Sequence, residues 1–523
     1  MDVLAQARVS GMGARIGSAR MLGATGFVAA LLAGCAVGPN FAPPKADTPA
    51  VWRAAANATV ANVAPGSVIT TTEVKDAAWW KSFGDPELSS LIERAALSNL
   101  SARQAVLRID EARDQRRLAA AGAWPQVTGV ASYQNSRISE RTATTSLLGA
   151  LAGHGQGGPP GGVSGAPPGL SNPFNQYQYG LSATWELDLF GRVKRSVEAA
   201  DADTEAAVED ARAVRVSLMA EVAAAYIDLR GAQARRAEAE DNLATARALV
   251  RLAEDARQAG LGNDLDVASA RGEAASAESQ VPPLDRQAAG DRNQLTLLLA
   301  AQPGALDAEL NEVRAIPPAP PQVPIGLPAD LARRRPDIRA AEAQLHAAVA
   351  RQGVAVASLY PDVSLNTSLG LQASLPSELL DWAAHYLTVG PTLDLPIFDA
   401  GQRRASVHLQ DVRAREAALA YAQTVLGALH EVEDAITAYD DEQARRASLQ
   451  IAADESRATL VLARRRYAAG SVSFREVLDA EEHLQQADQA LTASTAAASQ
   501  DLVGLYKALG GGWETGEIAA ARP

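Results

Sequence analysis

Long segments of the chain repeat their apolar residues every three or four positions, the period of amphipathic and coiled-coil helices. Two of them, 192–259 and 402–469, are 68 residues each and contain no proline. A continuous helix of that length would extend roughly 100 Å. The pair Pro282-Pro283 is expected to kink or interrupt a third helical segment. The shorter predicted helical segments are 86–121, 264–301, 328–357 and 474–510.

A second pattern, the alternation of apolar and polar residues, marks four shorter segments. It is clearest in YQYGLSATWELDL (177–189), where apolar residues take the odd positions and polar residues or glycine the even ones. The segments 361–371 and 385–395 alternate similarly, and a segment near Pro125 does so more weakly. Alternation over about ten residues fits a transmembrane β-strand, and it fits a half-buried strand of a soluble sheet equally well.

Four strands are too few to close a barrel. Single-chain outer-membrane barrels begin at about eight strands, and lipid does not tolerate an open sheet edge. If these strands span a membrane, the chain must therefore associate with further copies of itself to complete the sheet. The rival interpretation is a lipid-anchored periplasmic coiled-coil scaffold without a pore, which has no need of four strands of this length.

The same order of segments occurs twice, which indicates an internal duplication. Phe190 and Phe398 are 208 residues apart, whereas Pro125 and Pro361 are 236 apart. The first copy therefore contains about 28 extra residues, which fall in the Gly-, Pro- and Ser-rich segment 144–173. Such a composition predicts a flexible loop, which would most simply lie outside the cell. The predicted organisation is a signal segment at 1–34, an N-terminal segment at 35–85, structural repeats at 86–315 and 316–512, and a tail at 513–523.

The first 34 residues have the features of an export signal. Three arginines precede an apolar run at 21–32, which is too short to span a bilayer as a helix. The run ends in LAGC, which resembles the lipobox of bacterial lipoproteins, so the thiol of Cys35 is expected to carry a covalent lipid. The alternative is an ordinary signal peptide with an incidental cysteine. Apart from the lipid, no cofactor and no metal are expected.

The charge and composition of the chain disfavour several classes of function. The formal net charge of −13 becomes −15 once residues 1–34, which carry +2, are removed. Such a charge disfavours nucleic acid as a partner, because phosphate binding needs clustered Lys and Arg. No later segment has 18 consecutive apolar residues, so no helical membrane span is predicted. The chain has no GxSxG motif, no P-loop and no metal-ligand spacing among its six histidines, so no enzyme activity is predicted.

Several motifs resemble one known family. They are CAVGPNFAPP (35–44), WWKSFGDPELSSLIERAALSNL (79–100), RRRPDIRAAEAQL (333–345), YPDVSL (360–365) and GPTLDLPIFDAGQR (390–403). In this order they are similar to the TolC/NodT family of outer-membrane efflux lipoproteins, and the resemblance covers nearly the whole chain after residue 34.

The resemblance implies an α+β membrane protein that works as a homotrimer. Each protomer would give four strands to a twelve-stranded transmembrane β-barrel, continuous with a long periplasmic α-helical barrel. The protein would be lipid-anchored in the outer membrane and extend into the periplasm. It would be the passive exit duct of a tripartite pump, with a periplasmic adaptor (membrane fusion protein) and an inner-membrane transporter of the RND type. A type I protein-secretion channel is an alternative within the same class.

The resemblance also implies two sites at the periplasmic end, where the long helices reverse. The family closes this end with acids, and the matching positions are Asp266, Glu476 and Asp479. Glu476 stands where an Asp is common, and Ser269 replaces the first-copy counterpart of Asp479. The alternative for these acids is a solvated helix start, where carboxylates favour the helix dipole. The implied adaptor contacts are Gly260, Leu261, Gly262, Gly470, Ser471 and Val472.

Overall fold

The computed structural model describes residues 36–45, 48–54, 68–72, 78–137, 173–260 and 262–513. The signal segment, Cys35, Leu261, most of the 144–173 segment and the tail after Trp513 lie outside the described residues. The chain divides into two compact units. A sheet unit contains residues up to 40, 118–197 and 350–410, and a helical unit contains 41–117, 198–349 and the residues from 411 onward.

Nine α-helices account for most of the described residues. They are α1 (Pro86–Ser98), α2 (Leu100–Ala121), α3 (Arg192–Gln258), α4 (Asp264–Leu298), α5 (Asp307–Leu310), α6 (Leu331–Arg334), α7 (Pro336–Ala357), α8 (Gln402–Ala468) and α9 (Phe474–Ala508). The two long helices are confirmed, at 67 residues each. The helix pair α3–α4 and the pair α8–α9 have the same lengths and begin 210 residues apart, as a duplication requires.

The first predicted helical segment, 86–121, is two helices and not one. Asn99 separates them with an extended backbone (φ −58°, ψ 131°). Its Oδ1 accepts a hydrogen bond from the Ala102 backbone N–H at 3.0 Å, which caps the start of α2. Its Nδ2 donates to the Leu298 carbonyl at 2.8 Å. The asparagine side chain competes with the helical hydrogen bonds and so ends one helix while it begins the next.

Of the two effects expected from Pro282-Pro283, a kink or an interruption, the interruption is wrong, because α4 runs continuously through both prolines. Two backbone N–H donors are missing here, which leaves the carbonyls of Glu278 and Ser279 without their helical partners. All four residues are exposed on the helix surface. Water can therefore hydrogen-bond the two carbonyls, and the helix persists.

A four-stranded antiparallel sheet is the centre of the sheet unit. Its strands coincide with the four alternating segments and are β2 (Gln126–Ser136), β3 (Phe174–Glu186), β5 (Asp362–Ala373) and β6 (His385–Asp394). They pair in the order β2-β3-β5-β6. A separate parallel pair of strands, β1 (Val68–Thr70) and β4 (Gln322–Pro324), was not predicted, because three residues are too few to show a period.

The helical unit contains a large apolar core. The 3₁₀ turn at Trp79–Phe83 buries three aromatic side chains, and α1 packs Leu88 and Leu91 beside them. A buried polar group lies in the same unit, where Arg230 Nη2 donates to Glu87 Oε2 at 2.6 Å. Among the described residues, none of the helices has an apolar stretch of the length that a membrane crossing requires.

Candidate functional site

The two turns between the long and the return helices share one backbone geometry. Gly260 and Gly470 have φ of 73° and 72°, in the left-handed region that favours glycine. Their N–H groups donate to the carbonyls of Arg257 and Tyr467 at 3.0 and 2.8 Å. These bonds satisfy the carbonyls that end each long helix. A Cβ at either glycine would meet no atom within 4 Å, so both positions face open space.

Next to the turns, the adjoining ends of four helices pack around one apolar cluster. α3, α4, α8 and α9 all contribute to it. Its buried members are Leu249, Ala253, Val267, Ala270, Leu460, Phe474, Val477 and Ala480. The small alanines let the helices approach closely, and the cluster fixes the position of both turns.

The three predicted gate acids lie in the first two turns of α4 and α9. Asp266 follows the cap residue Asn263, whose Oδ1 accepts a hydrogen bond from the Asp266 N–H at 2.9 Å. Glu476 and Asp479 are exposed, and Asp479 lies 3.6 Å from the guanidinium of Arg475. The structure thus places the acids on corresponding turns of the two repeats.

Two further ionisable groups of this region were not predicted. Glu481 is buried, and burial raises the pKa of its carboxyl. Arg464 donates to it at 2.8 Å and opposes the rise, whereas nearby Glu273 adds to it. The pKa of the Tyr467 hydroxyl is also raised, first by burial and then by the charge of Asp266. Spacing could have identified Glu481, because it follows the buried Phe474 and Val477 at intervals of three and four.

The four-stranded sheet has one continuous apolar face. Gly129, Leu181, Leu369 and Leu387 form one row across all four strands, and Val127, Ala183, Thr367 and Val389 form the next. The large apolar side chains of these rows are exposed, with Leu387 at 71%. The alternation in the sequence therefore corresponds to two different faces of the sheet, as predicted. Among the described residues, none covers the apolar face in the way that a hydrophobic core would.

The opposite face is polar. Its rows include Thr128, Ser182, Ser368 and Thr388, and the row Val130, Gly180, Gly370 and Tyr386. The two glycines leave room for the ring of Tyr386, whose Cε1 would be 3.0 Å from a Cβ on Gly370. Gln178 Nε2 donates to the Tyr386 hydroxyl at 2.8 Å. The tyrosine ring therefore lies close to the backbone of the two glycines on this face.

Aromatic side chains lie near both ends of the sheet. The ring centroids of Tyr133 and Tyr177 lie 4.9 Å apart near the hairpin end, with the rings tilted by 33°, on the same face as the apolar rows. At the opposite end of the sheet, where the strands connect to the helices, the rings of Phe190 and Tyr360 stack with their centroids 4.9 Å apart. The shorter aliphatic side chains lie between these two groups.

Comparison with known proteins identifies the chain. The model of the family described as "Outer membrane efflux protein" matches residues 91–301 and 327–511. The chain belongs to this family. Outer membrane protein OprJ of Pseudomonas aeruginosa is 33% identical over 499 residues, which cover 94% of this chain and 95% of OprJ. Nodulation protein T of Rhizobium leguminosarum bv. trifolii is 30% identical over 489 residues, 93% of this chain and 95% of that protein.

A solved structure of the outer-membrane channel OprN has a similar fold. Its TM-score is 0.80 at 36% identity, over 92% of this chain and 100% of that one. The TolC/NodT resemblance is thereby confirmed, and the chain is an outer membrane efflux channel. Members of this outer membrane efflux protein family are channel proteins and not enzymes.

Proposed function

We propose that three copies of the chain close a twelve-stranded barrel from their four-stranded sheets, and that this barrel crosses the outer membrane. Two properties of the sheet carry the proposal. Within the described residues, β2 and β6 each have one unpaired edge. Large apolar side chains from all four strands are exposed on one face, and lipid would cover them while the polar face lines a lumen.

Strand length and end residues support the same placement. The strands have 10 to 13 residues, close to the 9–11 that a tilted transmembrane strand needs. Aromatic groups at both ends of the sheet resemble the aromatic girdles at the two membrane interfaces. Hairpin ends of the strands would then face the outside, and the helices would enter the periplasm.

Disulfide cross-linking of the two free edges tests the assembly. Thr388→Cys on β6 is combined, one at a time, with Gln126→Cys, Thr128→Cys or Val130→Cys on the same face of β2. One combination is expected to give covalent two-copy and three-copy species on a denaturing gel after oxidation. Single-cysteine variants, and the unsubstituted chain with Cys35 alone, give the background. Only monomers in every combination would contradict closure between copies.

We further propose that the N-terminal segment anchors the barrel to lipid through Cys35. The first described residues support this position. The Val37 N–H donates to the Phe190 carbonyl at 3.1 Å, beside the aromatic group at the helix end of the sheet. Gly191 leaves no room for a Cβ, which would lie 2.6 Å from the Ala36 Cα. A lipid attached through Cys35 would therefore enter the membrane at this end of the sheet.

The helices would form the periplasmic duct of a tripartite pump. In the proposed assembly a periplasmic adaptor contacts the turns, and an inner-membrane transporter of the RND type supplies energy and cargo. The support is family membership together with two 67-residue helices that reverse at glycine turns.

At the turns, Asp266, Glu476 and Asp479 would form a ring of carboxylates around the closed end of the duct. Such a ring favours cations in the lumen. Asp266→Ala and Glu476→Ala are therefore expected to raise single-channel conductance and lower the cation preference in planar bilayers. Asp264→Ala is the matched control, because this exposed acid of the same turn is already paired with Arg257 at 2.9 Å. Unchanged conductance and ion preference in both test variants would contradict a gate at these acids.

For the adaptor contact, Gly470→Trp is expected to abolish pump activity while the trimer persists. The side chain would project into open space at the turn and block a close helical partner. Gly470→Ala is the control, since it carries the same left-handed strain of about 1–2 kcal/mol but adds only a methyl group. The assay is growth of the native bacterium, deleted for this gene and complemented, on a compound to which the deletion sensitises it. Full activity of Gly470→Trp would place the contact elsewhere.

A further inference from the structure

The segment between β5 and β6 exposes large apolar side chains at the hairpin end of the sheet. It comprises residues 374–384 and contains two short 3₁₀ turns, Pro376–Glu378 and Trp382–Ala384. Leu380 is 88% exposed and Trp382 is 85% exposed. Such exposure at neighbouring positions is unusual for a loop in water and indicates a surface with a partner.

The side chain of Trp382 is held at the apolar face of the sheet. Its ring lies 4.4 Å from the ring of His385, and the His385 Nδ1–H donates to the Trp382 carbonyl at 2.9 Å. His385 belongs to the row that contains Leu371 and Tyr179, which is a row of the apolar face. The exposed loop surface is therefore continuous with the face that the proposed function assigns to lipid.

We propose that Leu380 and Trp382 insert into the outer leaflet at the boundary between acyl chains and head groups, so that this loop is a membrane anchor. The inference rests on the proposed function, because it requires the apolar face to lie in lipid. Trp has an apolar body and a polar N–H, which suits this boundary. Leu380 adds an aliphatic side chain, while the exposed carboxylates of Glu378 and Asp381 can remain in the hydrated head-group region.

The anchor would set the depth of the barrel at its outer end. The lipid on Cys35 would act at the opposite membrane boundary. Attachments at opposite boundaries would restrict both tilt and vertical movement of the barrel more than attachments at one boundary alone.

Spin-label accessibility in reconstituted vesicles tests the anchor. Labels are attached at Leu380→Cys, at Leu369→Cys as a lipid standard on the apolar face, and at Ser471→Cys as an aqueous standard at a helical turn. The unsubstituted chain reports any label on Cys35. We expect the label at 380 to collide with oxygen more often, and with a water-soluble nickel chelate several-fold less often, than the label at 471.

Each other outcome overturns the anchor in a distinguishable way. A label at 380 that matches the label at 471 would place the loop in water. A label at 380 that is shielded from both reagents would mean that protein covers the loop, either a neighbouring copy or the barrel mouth. If the label at 369 also behaves as if in water, the proposed function fails as well, and not only the anchor.

Tryptophan fluorescence is a second, independent test of contact between Trp382 and lipid. In vesicles of lipids brominated close to the glycerol end of the acyl chain, Trp382→Phe is expected to remove part of the quenched emission. Trp80→Phe is the matched control, because Trp80 is only 2% exposed and its loss should reduce the unquenched emission alone. Equal quenched emission in Trp382→Phe and the unsubstituted protein would contradict contact between Trp382 and lipid.

Discussion

Leu369→Arg is expected to destabilise the membrane-inserted protein by about 2–4 kcal/mol, the cost of arginine on the lipid face near the bilayer midplane. Leu369 lies in a row of the apolar face, between Leu181 and Leu387 on the neighbouring strands. The guanidinium would have to leave water for hydrocarbon, or the sheet would have to shift to avoid this. The measurement is reversible unfolding from lipid vesicles in denaturant.

Ser368→Arg is the matched control for this experiment. Ser368 is the neighbouring residue on the same strand, and its row faces the polar side with Ser182 and Thr388. An arginine there would remain in the water-filled lumen, so only a small change in unfolding free energy is expected. Equal losses in both variants would show that both faces are buried in protein, and a larger loss for Ser368→Arg would reverse the assignment of the faces.

Glu87→Leu is expected to cost about 3–5 kcal/mol, because it leaves a buried arginine without its charge partner. The side chain of Arg230 has no exposed surface, and Glu87 accepts its hydrogen bond at 2.6 Å. The same carboxylate lies 3.0 Å from Arg314 and accepts a bond from the Tyr226 hydroxyl at 3.2 Å. Thermal unfolding of the detergent-solubilised protein, followed by circular dichroism, measures the loss.

Glu93→Leu provides the control on the same helix. The side chain of Glu93 is 59% exposed and pairs with Lys81 at only 3.8 Å, so at most about 1 kcal/mol is expected. The double variant Glu87→Leu/Arg230→Met should recover much of the stability, because no buried charge then lacks a partner. If Glu87→Leu unfolds at the same temperature as Glu93→Leu, the buried pair does not hold the helical unit together.

The strands and long helices could be predicted because each follows from a local period. Alternation at 177–189 gave both the strand β3 and the identity of its two faces. The absence of proline over 192–259 gave α3 to within one residue at its end. Both features are patterns of consecutive residues, so they can be recognised without knowing which distant residues they contact.

Features that depend on distant residues were not predictable in this way. Glu87 and Arg230 are 143 positions apart, and nothing near either residue indicates the other. The break at Asn99 depends partly on the Leu298 carbonyl, which only the folded chain brings close. The continuity of α4 through Pro282-Pro283 depends on the solvent exposure of that stretch, which the local sequence rule for proline does not contain.

The candidate gate was only partly accessible to sequence reasoning. The family resemblance pointed to Asp266 and Glu476 as gate acids, and the structure places both at helix starts. The spacing from Phe474 and Val477 indicates that Glu481 lies on the buried side of its helix, but its pairing with Arg464 appears only in the packed helices. In the proposed trimer, the arrangement of these acids around a common axis is a property of three copies, which no single chain encodes locally.

Native mass spectrometry of the protein released from lipid vesicles tests the central claim most directly. The account predicts one dominant species of three lipid-modified chains, and predicts that the same preparation conducts ions in planar bilayers. A preparation that inserts into vesicles as single chains and passes no current would contradict it.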